Sequence, residues 1–180
     1  MITLVIGGAD SGKSEYAEHC LDHVQGEKIY IATMIASDPE SRERVHRHRR
    51  RRLDRNFRTM ECPACLEKAA LLIPADAAVL LEGIGTLVAN ELFCDMLPDP
   101  DAAKSRIMNG IHAVISRAGE LVIVSDEVNR AGFGYQGDTR LYQKLVGELN
   151  QELCRLSDRV AEMVCGFPVL RSCREITSED

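Results

Sequence analysis

Tryptophan is absent from this 180-residue chain, and four tyrosines and four phenylalanines hold the aromatic share to 4%. Grooves that bind single-stranded nucleic acid stack bases on such rings, so the shortage argues against that function. Positive charge is also short. Lys and Arg total 22 against 28 Asp and Glu, and the net charge of −6 excludes a globally basic nucleic-acid binder. No apolar run approaches the ~20 residues needed to cross a bilayer, so no membrane span is expected. Residues Met1 to Gly8 lack a basic n-region and a cleavage site, which argues against a secretory signal and for a cytoplasmic protein. Low-complexity linkers and internal repeats are missing too. The expectation is one domain over residues 1–180, large enough to bury a core without disulfides or a structural metal.

Cysteine, by contrast, is present in an odd number, seven, spread along the chain. In a reducing compartment free thiols are the default. Cys62 and Cys65 form a CxxC around Pro63. A zinc site would need a second pair or histidines at ligand spacing, and neither follows. A redox-active pair would sit after a strand, at the start of a helix, and that remains open here.

Short apolar runs alternate with segments of helical length. Strands are expected at Ile2–Ile6, Lys28–Thr33, Arg58–Cys62, Val79–Glu82, Leu121–Ser125 and, last, Ala161–Cys165. Helices are expected at Ser14–Val24, Pro39–Arg52, Leu87–Leu97, Ala102–Ala118 and Asp138–Asp158, with Leu97–Asp101 a turn. Alternating β and α with continuously apolar strands means an α/β fold, a mostly parallel sheet covered by helices on both faces.

Gly7, Gly8, Ala9, Asp10, Ser11, Gly12, Lys13 and Ser14 match GxxxxGK[ST], directly after the first strand and before a helix. Glycines let the backbone curl until its N–H groups point at phosphate oxygens. The helix N-terminus adds partial positive charge, Lys13 reaches the β- and γ-phosphates, and Ser14 is placed to ligate Mg²⁺. Magnesium also requires a carboxylate near the end of a neighbouring strand. Glu82 ends one strand and Asp126–Glu127 another, and either can hold the metal or its waters.

The second unusual feature is basic. Nine arginines fall between Arg42 and Arg58 against two acids, Glu43 and Asp54, so the remainder of the chain is strongly acidic. At helical spacing Arg44, His48 and Arg52 share one face, while His46 lies about 200° away from His48. A histidine among arginines suits attack on phosphorus. The guanidinium groups bind phosphate oxygens and offset charge that builds in the transition state. Their field also lowers the imidazole pKa and keeps the ring neutral. A solvated basic helix face and a nucleic-acid-binding stripe are the competing readings of this segment.

With both features in view, the chain resembles, over nearly its whole length, the bifunctional adenosylcobinamide kinase / adenosylcobinamide-phosphate guanylyltransferase family of cobalamin biosynthesis. The resemblance is carried by GGADSGKS at 7–14, YIAT at 30–33, RVHRHRRRR at 44–52, FRTME at 57–61, LLEG at 80–83 with Asn90 following, SDEV at 125–128, and Arg140, Gly147, Asn150 and Asp158 in the last helix region. It implies a P-loop NTPase-like fold and a two-step enzyme. Adenosylcobinamide would be phosphorylated with a nucleoside triphosphate, ATP or GTP, and Mg²⁺. GMP would then pass from GTP to adenosylcobinamide phosphate through a guanylylated histidine. In register that nucleophile is His48, with Lys13 as the catalytic lysine. The nucleotide contacts fall on residues 7–14, Thr33, Met34, Ile35, Arg49, Arg50, Arg51, Arg52, Glu61 and Glu82, and the metal on Ser14, Glu82 and Asp126. Similar proteins form a homotrimer. The chain departs from the family pattern at Asp10, usually Arg, at Gly83, usually Cys, at Asp126, usually Asn, and across Asn129–Asp138. A P-loop small-molecule kinase without guanylyl transfer is the alternative reading. A non-catalytic nucleotide- or nucleic-acid-binding protein is a third.

Overall fold

The computed structural model describes residues 1–35, 52, 55–128 and 137–171. Seven strands form one sheet: β1 (Ile2–Gly7), β2 (Lys28–Ala32), β3 (Phe57–Glu61), β4 (Ala77–Glu82), β5 (Ala118–Asp126), β6 (Arg159–Val164) and β7 (Phe167–Arg171). Among the described residues the helices are α1 (Lys13–Cys20), α2 (Leu66–Ala70), α3 (Ile84–Leu92), α4 (Pro100–Ile115) and α5 (Asp138–Leu156). The order across the sheet is β3-β2-β4-β5-β1-β6-β7. Every pairing is parallel except β6 with β7, which is antiparallel.

The central strands are apolar on both faces because both faces are covered, and alternate side chains enter different cores. Leu4, Ile29, Ile31, Val79, Leu81, Leu121 and Ile123 join the larger core with residues of α2, α3, α4 and α5. Val5, Tyr30, Leu80, Val122 and Val124 point the other way and pack with Ala17 and Leu21, in and just after α1.

Register fixes the functional edge. Gly7 is paired with Asp126, Ala32 with Glu82, and Ala32 also with Glu61. The last residues of β1, β3, β4 and β5 therefore reach the same margin of the sheet. In open parallel sheets this carboxyl edge is where ligands bind.

The expected strands all form, with ends that match or are displaced by up to three residues. The strand expected to be last is not: β6 is followed by β7 through a turn at Cys165 and Gly166, both with positive φ. α2 is a further element absent from the expectation. α3 starts at Ile84, because Gly83 in the left-handed region opens the helix immediately after β4. It stops at Leu92, short of the expected Leu97. α1 stops at Cys20 rather than Val24. The expected helix Pro39–Arg52 lies outside the described residues apart from Arg52.

Candidate active site

β1 ends at Gly7 and the chain turns through Gly8–Gly12 into α1. The turn is tight, and two of its residues adopt positive φ, Asp10 at 52° and Gly12 at 88°. Aspartate is one of the few side chains that enters the left-handed region readily, so Asp10 suits its backbone. Gly12 is the N-cap of α1 and no side chain caps that helix. Its first N–H groups are thus presented toward the strand ends, the arrangement that favours an anion. α3, which also starts at this edge, likewise has no side-chain cap, whereas α4 is capped by Asp99 through Ala102 N–H at 3.0 Å.

Lys13 is buried, and its Nζ donates to Gly8 O at 2.6 Å and lies 3.2 Å from Asp126 Oδ1. The Ser14 hydroxyl donates to Glu82 Oε1. The other Glu82 oxygen is buried and, among the described residues, has no hydrogen-bond partner within bonding geometry. An orphaned carboxylate oxygen beside a hydroxyl is the donor set of a hard cation. Mg²⁺ is usually held by one or two carboxylates plus substrate phosphates and waters rather than by an all-protein cage. Ser14 and Glu82 fit that ion. Asp126 stands across from them, with Lys13 as its partner.

A cavity of about 680 Å³ opens over this edge. The P-loop lines it with Ala9, Asp10, Lys13 and Ser14, and the segment after β2 with Thr33, Met34 and Ile35. Arg52, Glu61, Glu82 and Asp126 complete the sequence-predicted residues that it brings together. Gly7, Gly8, Ser11 and Gly12 shape the loop. His48, Arg49, Arg50 and Arg51 lie outside the described residues, as does most of the Asn129–Asp138 segment.

The cavity walls are tied together by polar contacts. Thr33 Oγ1 donates within 2.9 Å of both Glu82 O and Gly83 O. Asn90 Nδ2 donates to Thr33 O at 3.0 Å and to Pro63 O at 2.8 Å. Ser125 Oγ donates to Asn150 Oδ1 at 2.6 Å, and Asn150 Nδ2 to Asp126 O at 3.2 Å, which binds the end of β5 to α5.

Two contributors are not among the site residues that sequence reasoning singles out. Tyr30 lines the cavity, and its ring lies under the Arg52 guanidinium, 3.4 Å from carbon to centroid. Burial pushes the Tyr30 hydroxyl well above its ordinary range, the neighbouring Glu82 carboxylate adds to this, and Arg52 opposes it. Its signal is the YIAT motif, which marks the strand rather than the side chain. Tyr142 on α5 converges on Asp126, and burial and that carboxylate raise its pKa.

The CxxC does follow a strand and open a helix. Cys62 is buried after β3, Cys65 is exposed at the N-cap of α2, and both are free thiols. Burial pushes the Cys62 thiol up. Glu91, itself buried, accepts from Cys65 N at 2.8 Å and from Arg106 Nε at 2.8 Å, so this corner is braced by an ion pair. Among the described residues, no group of three or more His, Cys, Asp or Glu is arranged to hold a metal.

Comparison with known proteins agrees with this geometry. The family profile described as "Cobinamide kinase / cobinamide phosphate guanyltransferase" matches residues 3–170. The chain is 34% identical to the bifunctional adenosylcobalamin biosynthesis protein CobU of Salmonella typhimurium, over 94% of this chain and 98% of that protein. It is 33% identical to the protein of the same name from Escherichia coli, with the same coverage. It is 31% identical to the bifunctional adenosylcobalamin biosynthesis protein CobP of Pseudomonas aeruginosa, over 94% and 96% of the two chains. With a P-loop at the head of a parallel sheet and a family match over almost its full length, this chain belongs to the cobinamide kinase / cobinamide phosphate guanyltransferase family of enzymes.

Proposed function

We propose that this chain, as one domain, carries out two successive transfers at the cavity. In the first, the alcohol oxygen on the aminopropanol arm of adenosylcobinamide attacks the γ-phosphorus of ATP or GTP and gives up its proton to solvent. The bond to the bridging oxygen breaks and the nucleoside diphosphate leaves. In the second, a ring nitrogen of His48 attacks the α-phosphorus of GTP and pyrophosphate leaves. A phosphate oxygen of adenosylcobinamide phosphate then displaces the histidine, which departs as the neutral ring.

The observation that carries this reading is the convergence of Lys13, Ser14, Glu82, Asp126 and Arg52 on one cavity at the carboxyl edge of the sheet. Phosphoryl transfer is chiefly positioning and charge stabilisation. The loop N–H groups and Lys13 orient the β- and γ-phosphates. Ser14 and Glu82 would hold Mg²⁺, which supplies neutralisation of phosphate charge. Arg52 and Glu61 stand on the β2–β3 side of the cavity, where the nucleoside end of the triphosphate is assigned. The family pattern is also the basis for proposing a homotrimer. Exposed Met96, Leu97, Phe167 and Leu170 offer apolar surface for such an assembly.

The test is intact-mass measurement after mixing the protein with GTP and Mg²⁺. One GMP added per chain is expected, absent in His48→Ala and strongly reduced in Lys13→Ala. No adduct on the unaltered protein, with acceptor-dependent release of nucleoside diphosphate, would leave a kinase without guanylyl transfer. An adduct that persists in His48→Ala would move the nucleophile elsewhere.

A further inference from the structure

We propose that Tyr30 is a positioning residue of the nucleotide cavity, its ring serving as the platform that holds the Arg52 guanidinium in the cavity wall. The inference deepens the reading above and takes from it only the identity of the ligand as a nucleoside triphosphate.

The geometry is that of a stacked cation. The guanidinium carbon stands 3.4 Å from the ring centroid, Arg52 is 3% exposed and Tyr30 6%. A guanidinium withdrawn from water gains most from an aromatic face, because little solvent screens the attraction. The platform is itself fixed. Tyr30 sits mid-strand in β2, paired with Thr59 on one side and Leu80 on the other. The Phe57 ring meets it edge-on, 6.3 Å between centroids and 85° between planes. Lys28 Nζ lies 5.3 Å from the Phe57 ring centroid. Each of the two aromatic rings thus carries a cation of its own, and the ring of Tyr30 is the one that lines the cavity.

The charge around the cavity shows why the position of Arg52 matters. Among the described lining residues, the carboxylates are Asp10, Glu61, Glu82 and Asp126, and the cations are Lys13 and Arg52. A triphosphate enters a wall richer in negative side chains than in positive ones. Lys13 is held by the P-loop. Arg52 is in none of the seven strands, and the stack on Tyr30 ties its guanidinium to the sheet. If the ring is lost, that tie goes with it, and the guanidinium is held less firmly in the cavity wall. That guanidinium is half of the wall's described positive charge.

A fluorescent GDP analogue, titrated without any acceptor, reads this directly. Tyr30→Leu is expected to weaken binding about tenfold, and Tyr30→Phe, which restores the ring, to bring it back within about twofold of the unaltered protein. Arg52→Ala should weaken binding at least as much as Tyr30→Leu. The double variant Tyr30→Leu/Arg52→Ala should be no weaker than Arg52→Ala alone, because one residue acts through the other. A merely structural role for Tyr30 would add its loss to that of Arg52, and that additivity overturns the proposal. So does a Tyr30→Phe as weak as Tyr30→Leu, or a Tyr30→Leu as tight as the unaltered protein. Should Tyr30→Leu fail to fold by circular dichroism, Arg52→Met, which leaves the ring in place, must still show the tenfold loss, and near-normal binding there rejects the idea. Unaltered protein that binds the analogue but forms no GMP adduct removes guanylyl transfer and leaves this inference standing. Unaltered protein that binds no nucleotide removes both.

Discussion

Gly85, the second residue of α3, shows how closely single side chains are fitted at the cavity edge. A Cβ there would lie 2.7 Å from Asp126 Oδ2 and 2.7 Å from the Tyr142 hydroxyl. Asp126 in turn is the ion-pair partner of Lys13 at 3.2 Å. Alanine at this position removes the helix penalty of glycine, worth about 1 kcal/mol, but must displace a carboxylate that pairs with the P-loop lysine, Lys13. Gly85→Ala is therefore expected to melt within a few degrees of the unaltered protein while losing roughly tenfold in phosphoryl transfer, a loss of about 1.4 kcal/mol in transition-state stabilisation. Thermal melting beside steady-state kinetics separates the two. A variant with full activity would show that Asp126 is free to move without consequence. At this scale the site is legible wherever function is written as a motif. The P-loop residues, Glu82 and Asp126 follow from their place after apolar runs. Gly85 and Tyr142 carry no local signal, because their roles arise only when α3, β5 and α5 are packed together.

At the scale of elements, α4 stands apart among the described helices in having a side-chain N-cap. Asp99 accepts from Ala102 N–H at 3.0 Å and is followed by Pro100, a strong start for α4, none of whose residues lines the cavity. Asp99→Ala should cost about 1 kcal/mol of stability, measured by urea denaturation, with nucleotide affinity unchanged. A loss of affinity in that variant would mean that α4 is coupled to the site more tightly than its cap suggests. The elements that sequence reasoning misses are those with weak local codes. α2 is five residues long, too short for a 3.6-residue period to repeat. β7 contains Pro168, which demotes a run to edge strand or non-strand, and it is indeed an edge, exposed along its whole length. The central strands are legible because burial on both faces leaves a continuous apolar run. Their ends are less so, since the last ladder pair is decided by the partner strand.

For the molecule as a whole, alkaline pH is the direction of weakness. Burial is the leading cause that raises the pKa of Tyr16, Cys20 and Cys62 in the folded chain. At Cys20, Glu120 and Asp22 add to it, while the Tyr16 hydrogen bond and Arg159 oppose it. A group that holds its proton harder when folded contributes stability that is complete below its unfolded pKa and is lost as pH rises through the folded one. The unfolded chain thus releases protons first, beginning near the ordinary thiol value of 9.0 and, for tyrosine, near 10.0. The melting temperature is expected to fall progressively above about pH 9 and to be flat just below it, as far as these groups decide it. Cys20→Ser should flatten part of that slope, and a slope unchanged in Cys20→Ser would assign it to other groups. One contact gives this sheet a mechanical property of a different kind. Through a single amide, Asn90 grips carbonyls from two segments far apart in the chain, at Thr33 and Pro63, from a helix packed against α4. Two stretches of the cavity lining, at Thr33 and at Pro63, are consequently pinned to the same side chain, so a displacement of that helix would shift both at once.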